Sequence, residues 1–414
     1  MQTIKDKEQR ISWWRDAKIG LFIHYGIYSV YNRGEWIKLR EGISDEEYEN
    51  TAKNGFLYKK GMAEEWVKLA KNAGMKYAVM TTQHHDGFSL WDSKINPFNS
   101  VNCGAKTDIV KEFTDTCRKH GIKTGLYFSL WNWHHPDGMR CAQDESARVR
   151  FVSYVKEQVR ELMSNYGKID ILWYDVPSPL NTAEKWESEA RNQMVRELQP
   201  DILINNRSLL EEDFATPEDK VQPQKTDWEA CLRFTDIAFG GLDQKYAVPY
   251  RTNANGIVKL LSKCENGCGN MIFNISPNAF GEIPEYEAEE LTKFGQWTEK
   301  HASAVYGANT RGFVGANGIC TASLRNNHVY LWNWIWQSDF MRIAGYTKPP
   351  KKVTCVTTGE ELDFSYENGV ITLKNLPKEC PEKILNITVF DMDFGDTAPE
   401  YRLIPPNAVE FMGI

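Results

Sequence analysis

One carboxylate stands at the end of an apolar run, where an enzyme could use it. Asp175 follows residues 169–174 (IDILWY), which have the character of a buried strand. A carboxylate there is not needed for folding, because burying an unpaired charge is costly. Asp175 is therefore either a reactive group or a loop residue that caps the next segment, and this pattern alone leaves both interpretations open.

The next apolar run supplies a cation. Residues 201–205 (DILIN) have the pattern of the following strand, and Arg207 comes two residues after it. A cation within a few ångströms lowers the pKa of a carboxyl group and keeps it ionised, as a nucleophile requires. We therefore expect Arg207 to be a neighbour of Asp175.

A second carboxylate could act as an acid. Glu229 lies in residues 226–229 (TDWE), and an apolar neighbour such as Trp228 disfavours the charged form of a glutamate. This raises the pKa, which suits a general acid. Taken alone, Glu229 is more simply a surface residue, and Glu218 and Glu35 are rivals for the same role.

Histidines also cluster at predicted strand ends. Five of the eight lie there, namely His24, His84, His85, His134 and His135. A metal-dependent barrel hydrolase needs paired histidines on its first strand and further histidines late in the barrel. This chain has a single histidine on the first strand and none between residues 135 and 301. We therefore expect no metal and no cofactor, and we expect neutral imidazoles that hydrogen bond to substrate hydroxyl groups.

The elements that position these residues alternate along the first 300 residues. The apolar patterns predict strands at 18–24, 75–82, 122–129, 169–174, 201–205 and 271–275, and helices at 63–73, 107–120, 147–166 and 183–198. Such alternation indicates parallel strands joined by right-handed crossovers. The length favours a (β/α)8-type barrel, and no Gly-x-Gly-x-x-Gly follows the first strand as a dinucleotide fold would require. Barrel enzymes carry their chemistry at strand carboxyl ends, where these residues lie.

The pattern changes after residue 306. Short runs rich in β-branched and aromatic residues occur at 319–324, 328–334, 352–357 and 370–373, with turn signals at Asn317-Gly318 and Asn368-Gly369. We therefore predict an α/β protein, with a catalytic barrel over 1–305 and a small β-sandwich over 306–414. The expected role of the sandwich is to brace the barrel, and carbohydrate binding is the weaker alternative.

Composition limits the partners and the location. The 414 residues carry a net charge of −7 and no long basic run, which argues against nucleic acid. No apolar run approaches the roughly 20 residues that a membrane span needs. Nine scattered cysteines have no zinc-site spacing and predict free thiols, so we expect a cytoplasmic protein unless a leader was removed. Whether the chain forms a homo-oligomer is left open.

Several short runs, in order along the predicted barrel, match one known family. They are residues 13–15 (WWR), 20–26 (GLFIHYG), 34–36 (GEW), 65–66 (EW), 74–77 (GMKY), 83–88 (QHHDGF), 125–129 (GLYFS), 172–175 (LWYD), 206–207 (NR), 214–218 (FATPE), 228–229 (WE) and 274–285 (NISPNAFGEIPE). Together they resemble glycoside hydrolase family 29, the α-L-fucosidases.

The resemblance implies a retaining exo-glycosidase that removes terminal α-L-fucose from oligosaccharides or glycoconjugates through a covalent fucosyl-enzyme intermediate. Asp175 aligns with the family nucleophile and Glu229 with its acid/base. Eight further residues align with positions that line the fucose pocket, namely His24, Glu35, Trp36, His84, His85, Tyr127, Trp173 and Arg207. An apolar wall for the C6 methyl group is also implied. Retention needs two carboxyl groups about 5–5.5 Å apart and no metal.

The chain departs from the family at one loop. Many members carry a Ser-Trp-Gly-Tyr-like run after the Trp-Glu pair, whereas residues 233–241 here are RFTDIAFGG. This loop should shape the leaving-group side of the pocket. Two alternatives remain, an inactive carbohydrate-binding protein on the same scaffold and a metal-dependent barrel hydrolase. Intact Asp175 and Glu229 weigh against the first, and the distribution of histidines weighs against the second.

Overall fold

A parallel sheet forms the first part of the chain. The computed structural model describes residues 6–235, 237–241, 251–309, 320–337 and 339–402. The strands of this sheet are β1 (Ile19–Ile23), β2 (Tyr77–Gln83), β3 (Lys123–Ser129), β4 (Ile171–Asp175), β5 (Leu203–Ile204), β6 (Glu229–Leu232) and β7 (Asn270–Ile275). Their order is β5-β4-β3-β2-β1-β7-β6, and each neighbouring pair is parallel. All carboxyl ends therefore meet at one edge of a curled, seven-stranded sheet.

Helices alternate with these strands. They are α1 (Lys7–Ala17), α2 (Tyr28–Tyr31), α3 (Ile37–Arg40), α4 (Asp45–Asn54), α5 (Met62–Asn72), α6 (Ile109–His120), α7 (Glu145–Asn165), α8 (Ser188–Leu198), α9 (Ala254–Asn266), α10 (Glu285–Lys300) and α11 (Ala302–Val305). The predicted helices at 63–73, 107–120 and 147–166 agree with α5, α6 and α7, whereas α8 begins five residues later than predicted. Among the described residues, no helix is both long and apolar enough to cross a membrane.

Local sequence explains these helices, and α6 is an example. Asp108 caps its amino end by accepting a hydrogen bond from the backbone of Lys111. Val110 and Phe113 are among the apolar side chains that it buries against the sheet. Gly121 ends it with a φ of +71°, a backbone conformation that glycine adopts without strain.

The predicted regular eighth strand is absent from the described residues. Residues 213–219 run between the two edge strands instead. The N–H of Asp213 donates to β5 at 2.9 Å, and the carbonyl of Phe214 accepts from Asn206, just after β5, at 3.0 Å. The carbonyls of Ala215 and Pro217 accept from β6 at 2.9 and 3.0 Å. These contacts are isolated bridges, since Pro217 has no backbone N–H and interrupts the ladder.

Antiparallel sheets form the second part. Its strands are β8 (Cys320–Arg325), β9 (His328–Asn333), β10 (Met341–Ala344), β11 (Lys352–Cys355), β12 (Phe364–Glu367), β13 (Val370–Leu373) and β14 (Thr388–Asp393). One sheet has the order β11-β14-β9-β8 and the other β10-β13-β12. Leu331 and Phe390 of the first sheet share a buried cluster with Ile343 and Ile371 of the second. Asn368 and Gly369 both have positive φ and form the predicted hairpin turn, whereas the turn at 317–318 lies outside the described residues.

Hydrogen bonds tie the two parts together. Trp297 of α10 donates its indole N–H to the carbonyl of Ile387, at 2.8 Å. Asn255 of α9 donates to the carbonyl of Leu385, at 2.6 Å. The antiparallel sheets are therefore held against the outer helices of the first part.

Candidate active site

Asp175 is the last residue of β4, and its carboxylate is buried. Oδ1 accepts a hydrogen bond from Nη1 of Arg207 at 2.5 Å, and Oδ2 accepts one from the Tyr127 hydroxyl at 2.6 Å. Burial acts to raise the pKa of Asp175, but the Arg207 guanidinium, with the hydrogen bond from Tyr127, holds the pKa below its ordinary value. Asp175 is therefore an ionised carboxylate in a largely dry environment.

Arg207 joins two carboxylates. It lies in a short 3-10 helix directly after β5, and its guanidinium packs 4.7 Å above the Trp173 ring. Nη1 contacts Asp175, and Nη2 donates to Oε2 of Glu218 at 2.8 Å. Because both contacts come from one planar fork, the two carboxylate oxygens lie no more than roughly 8 Å apart. The geometry thus pairs Asp175 with Glu218.

Glu218 reaches the pocket from the segment between the edge strands. It forms a parallel bridge with Cys231, close to the carboxyl end of β6. Its side chain is 44% exposed, so one face of the carboxylate meets solvent at the mouth of the pocket. This exposure gives the carboxylate access to water as well as to the buried Asp175.

The structure does not bring Glu229 to the pocket, contrary to the predicted pairing. Glu229 is the first residue of β6 and pairs with Asn270, the first residue of β7. It therefore lies about 6.6 Å, or two residues, below Cys231 toward the amino end of the strands. Its carboxylate accepts hydrogen bonds from the Tyr77 hydroxyl and the Trp173 indole, and burial raises its pKa to about 7. Glu229 therefore lies beneath the pocket, where it holds Trp173 by accepting the hydrogen bond from its indole N–H.

Histidines supply the polar side of the pocket. His24 Nδ1 is 2.6 Å from Oδ1 of Asn274, whose amide group donates to the carbonyl of Phe239. The Nδ1 of His24 therefore carries the proton, which leaves Nε2 as an acceptor. His85 Nδ1 likewise contacts Ser129 Oγ at 2.6 Å. Burial lowers the pKa of His24 to about 3 and of His85 to about 4, so both rings are neutral at physiological pH.

Glu35 fixes the loop that closes the pocket. Its carboxylate accepts hydrogen bonds from the backbone N–H groups of Phe239 and Gly240, at 2.9 and 2.7 Å. Phe239 then packs 4.9 Å from His24 between ring centroids. The cavity has a volume of about 90 Å³. This is well below the roughly 300–1,000 Å³ of pockets for drug-sized ligands, so it suits a single small ring.

Three buried groups could in principle hold a metal. The donor atoms of His84, His85 and Asp175 lie within 4.8 Å of one another. Both oxygens of Asp175 already accept hydrogen bonds, and one of these comes from a guanidinium at 2.5 Å. A metal ion bound there would be repelled by Arg207. The donor set therefore fits neutral hydroxyl groups better than a cation.

Nine of the ten predicted site residues line this one cavity, and Glu229 does not. The nine are His24, Glu35, Trp36, His84, His85, Tyr127, Trp173, Asp175 and Arg207. The cavity also contains Glu218, which the sequence offered as a rival for the acid role, and four residues that were not assigned to it, namely Phe22, Val176, Cys231 and Phe239. Phe22 could have been found from strand alternation, because it lies two residues before His24 and points to the same face of β1. Phe239 lies in a loop with no periodic pattern.

Comparison with known proteins points to one family. The family model of α-L-fucosidase matches residues 2–303. The tissue α-L-fucosidase of Rattus norvegicus is 31% identical over 71% of this chain and 69% of its own length. The α-L-fucosidase of Dictyostelium discoideum is 27% identical over 72% of this chain and 71% of its own. The structure of α-L-fucosidase isoenzyme 1 from Paenibacillus thiaminolyticus superposes with a TM-score of 0.85 and 30% identity, covering 94% of this chain and 99% of that one. This chain belongs to the α-L-fucosidase family.

Proposed function

We propose that this chain hydrolyses terminal α-L-fucosides with retention of configuration, that Asp175 is the nucleophile, and that Glu218 is the general acid/base. Family membership supports the substrate. The observation that carries the pairing of these two residues is the bridge from Arg207 to both carboxylates, at 2.5 and 2.8 Å. The burial of Asp175 and the exposure of Glu218 to solvent support their separate roles. Retaining glycosidases need their two carboxyl groups about 5–5.5 Å apart, which the bridge allows.

The two steps follow from this arrangement. Ionised Asp175 attacks the anomeric carbon and forms a fucosyl ester, while the bond to the leaving oxygen breaks and protonated Glu218 gives its proton to that oxygen. Glu218, now a carboxylate, takes a proton from water, which attacks the anomeric carbon and releases Asp175. Partial exposure of Glu218 supports this exchange with solvent, whereas burial of Asp175 favours the displacement over solvation of the nucleophile.

The position of Glu218 also follows the rule for barrels. We propose that residues 213–219 act as an irregular eighth strand that closes the sheet into a barrel. Glu218 then stands near a strand carboxyl end, where barrel enzymes carry their chemistry, and Glu229 stands near an amino end. This is why we assign the acid/base role to Glu218 rather than to Glu229.

The antiparallel sheets have a separate role. We propose that the chain divides near residue 305 and that residues 306–414 brace the barrel. Support comes from the hydrogen bonds of Trp297 and Asn255 to the segment before β14, which attach the sheets to α9 and α10. The physiological substrate in this proposal is a fucosylated oligosaccharide or glycoconjugate, because the cavity accommodates one ring and its mouth is open.

Azide rescue tests the residue roles. Wild-type protein should hydrolyse 4-nitrophenyl α-L-fucoside, release the α-anomer first, and keep its activity in chelator. Asp175→Ala should lose activity by on the order of 10³-fold or more, and azide should then yield the inverted β-fucosyl azide. Glu218→Ala should lose about 10²–10⁴-fold on substrates with poor leaving groups, and azide should yield the α-fucosyl azide.

Glu229→Gln is the matched control, since it removes the other candidate carboxylate without changing side-chain volume. It should keep most of the activity and show no azide rescue. Selective rescue of a Glu229 variant but not of Glu218→Ala would reverse the assignment. Absence of turnover on any fucoside would support the inactive carbohydrate-binding protein, and loss of activity in chelator would support a metal-dependent hydrolase.

A further inference from the structure

The backbone turns sharply directly after Glu218. Asp219 has a φ of +65°, in the left-handed region that few residues other than glycine adopt, although aspartate tolerates it. Its N–H donates to the carbonyl of Cys231 at 3.2 Å. The side chain of Glu218 has one oxygen on Arg207 and is 44% exposed. Its direction therefore depends on how firmly this turn is held.

Arg233 contacts both sides of the pocket mouth. Its Nη1 donates to the carboxylate of Asp219 in an ion pair, and its Nε donates to the carbonyl of Thr235 at 2.8 Å. The guanidinium carbon lies 4.3 Å from the centroid of the Phe239 ring. Only 10% of the Arg233 side chain is exposed, so these contacts are partly shielded from water.

We propose that Arg233 is a positioning residue that acts through Asp219 to aim the Glu218 carboxylate at the leaving oxygen. This inference rests on the proposed role of Glu218. A planar guanidinium can form an ion pair along its edge and stack with its face at the same time, which a lysine cannot do. Arg233 thus links the turn after the acid/base residue to Phe239, which lines the pocket.

Through these contacts, Arg233 fixes the position of the Glu218 carboxylate relative to the bound sugar. If Phe239 packs against the bound ring, then the guanidinium that stacks on Phe239 fixes where Asp219, and with it Glu218, stands relative to that ring. Reactions of this kind are sensitive to displacements of about 1 Å, because the proton must be transferred along a short hydrogen bond. Arg233 lies in the loop where this chain departs from the Ser-Trp-Gly-Tyr-like run of many family members.

Two substrates separate positioning of the acid from a general structural role. Fluoride leaves α-L-fucosyl fluoride without needing a proton from a glutamate, whereas phenol leaves phenyl α-L-fucoside slowly unless it is protonated. The ratio kcat/KM reports formation of the fucosyl-enzyme, so the later base role of Glu218 does not enter. For Arg233→Lys, Arg233→Met and Asp219→Asn we expect kcat/KM to fall about 10-fold on the phenyl substrate and less than about 2-fold on the fluoride.

The variants form a graded series. Asp219→Asn removes the ion pair but keeps a residue that tolerates positive φ, so it folds even if changes at Arg233 disturb the loop. Arg148→Met on α7 is the control, because Arg148 is similarly shielded at 16% exposure and pairs with Glu145 at 2.6 Å on the outside of the barrel. It should leave both substrates unchanged.

The outcomes are distinct. Equal losses on both substrates, or no loss on either, would overturn the positioning role while the proposed function stands. If Glu218→Ala itself fails to discriminate between fluoride and phenol, the acid/base assignment is wrong and the inference fails with it. A selective loss on the phenyl substrate in Asp219→Asn and in both Arg233 variants is the result that supports it.

Discussion

Glu229 should make the protein less stable as pH rises, and Glu229→Gln should remove this dependence. Burial raises the pKa of Glu229 to about 7, from an ordinary value of 4.5. The folded state therefore binds this proton more tightly than the unfolded state. Its contribution to stability is complete below pH 4.5, is lost as pH rises from there to about 7, and changes no further above that.

The size of the effect follows from the pKa. Each tenfold difference in proton affinity corresponds to about 1.4 kcal/mol, so ionised Glu229 costs the folded state about 3 kcal/mol at pH 9. Most of this, about 2–3 kcal/mol, is lost between pH 5 and pH 9. With an unfolding entropy of about 2 cal/mol/K per residue, a chain of this size would change its Tm by about 3 °C.

The assay compares Tm for wild type and Glu229→Gln from pH 5 to pH 9. The difference between the two proteins should grow by about 3 °C in favour of the variant across this range, whatever its value at pH 5. Glu65→Gln, a change at an exposed helix position, is the control and should show no such trend. A difference in Tm that is constant with pH would refute the view of Glu229 as a buried acid that is protonated in the fold.

Two other changes test the surroundings of Asp175 and His24. Arg207→Gln removes the cation beside Asp175, so the acidic limb of the pH profile of kcat/KM should move to higher pH by about 1–3 units. An acidic limb that does not move would show that another group controls the ionisation of Asp175. Asn274→Ala removes the acceptor that fixes the tautomer of His24, so KM for an aryl fucoside should rise by about 10-fold with a smaller change in kcat. A fall in kcat alone would mean that His24 acts on the transition state rather than in binding.

Sequence reasoning located Asp175 and Arg207 because a strong apolar strand precedes each of them. Glu229 was instead predicted from its apolar neighbour Trp228 and from the family resemblance, neither of which shows where along a strand it lies. From sequence alone, a glutamate at the start of a four-residue strand is hard to distinguish from one that follows the end of a strand. The pairing of β6 with β7 decides which end of β6 faces the pocket. Tertiary pairing of this kind is not encoded in local periodicity.

Glu218 was harder to assign for a related reason. Its segment contains Pro217 and forms isolated bridges, so it has no strand pattern to mark its carboxyl end. In the second part of the chain, β9 was evident from its aromatic and β-branched residues. By contrast, β14 was missed, since Asp391 and Asp393 are polar residues on its less buried face.

The irregular segment 213–219 should open by local unfolding more readily than the strands on either side of it. Isolated bridges open at lower free energy than a continuous ladder, so this seam should exchange its amide hydrogens before the neighbouring strands do. Each opening would carry Glu218 away while Asp175, at the end of a regular strand that is paired on both sides, stays in place. With the proposed roles, gentle heating would displace the acid before the nucleophile, and the protein would still form a fucosyl ester with a substrate whose leaving group needs no proton.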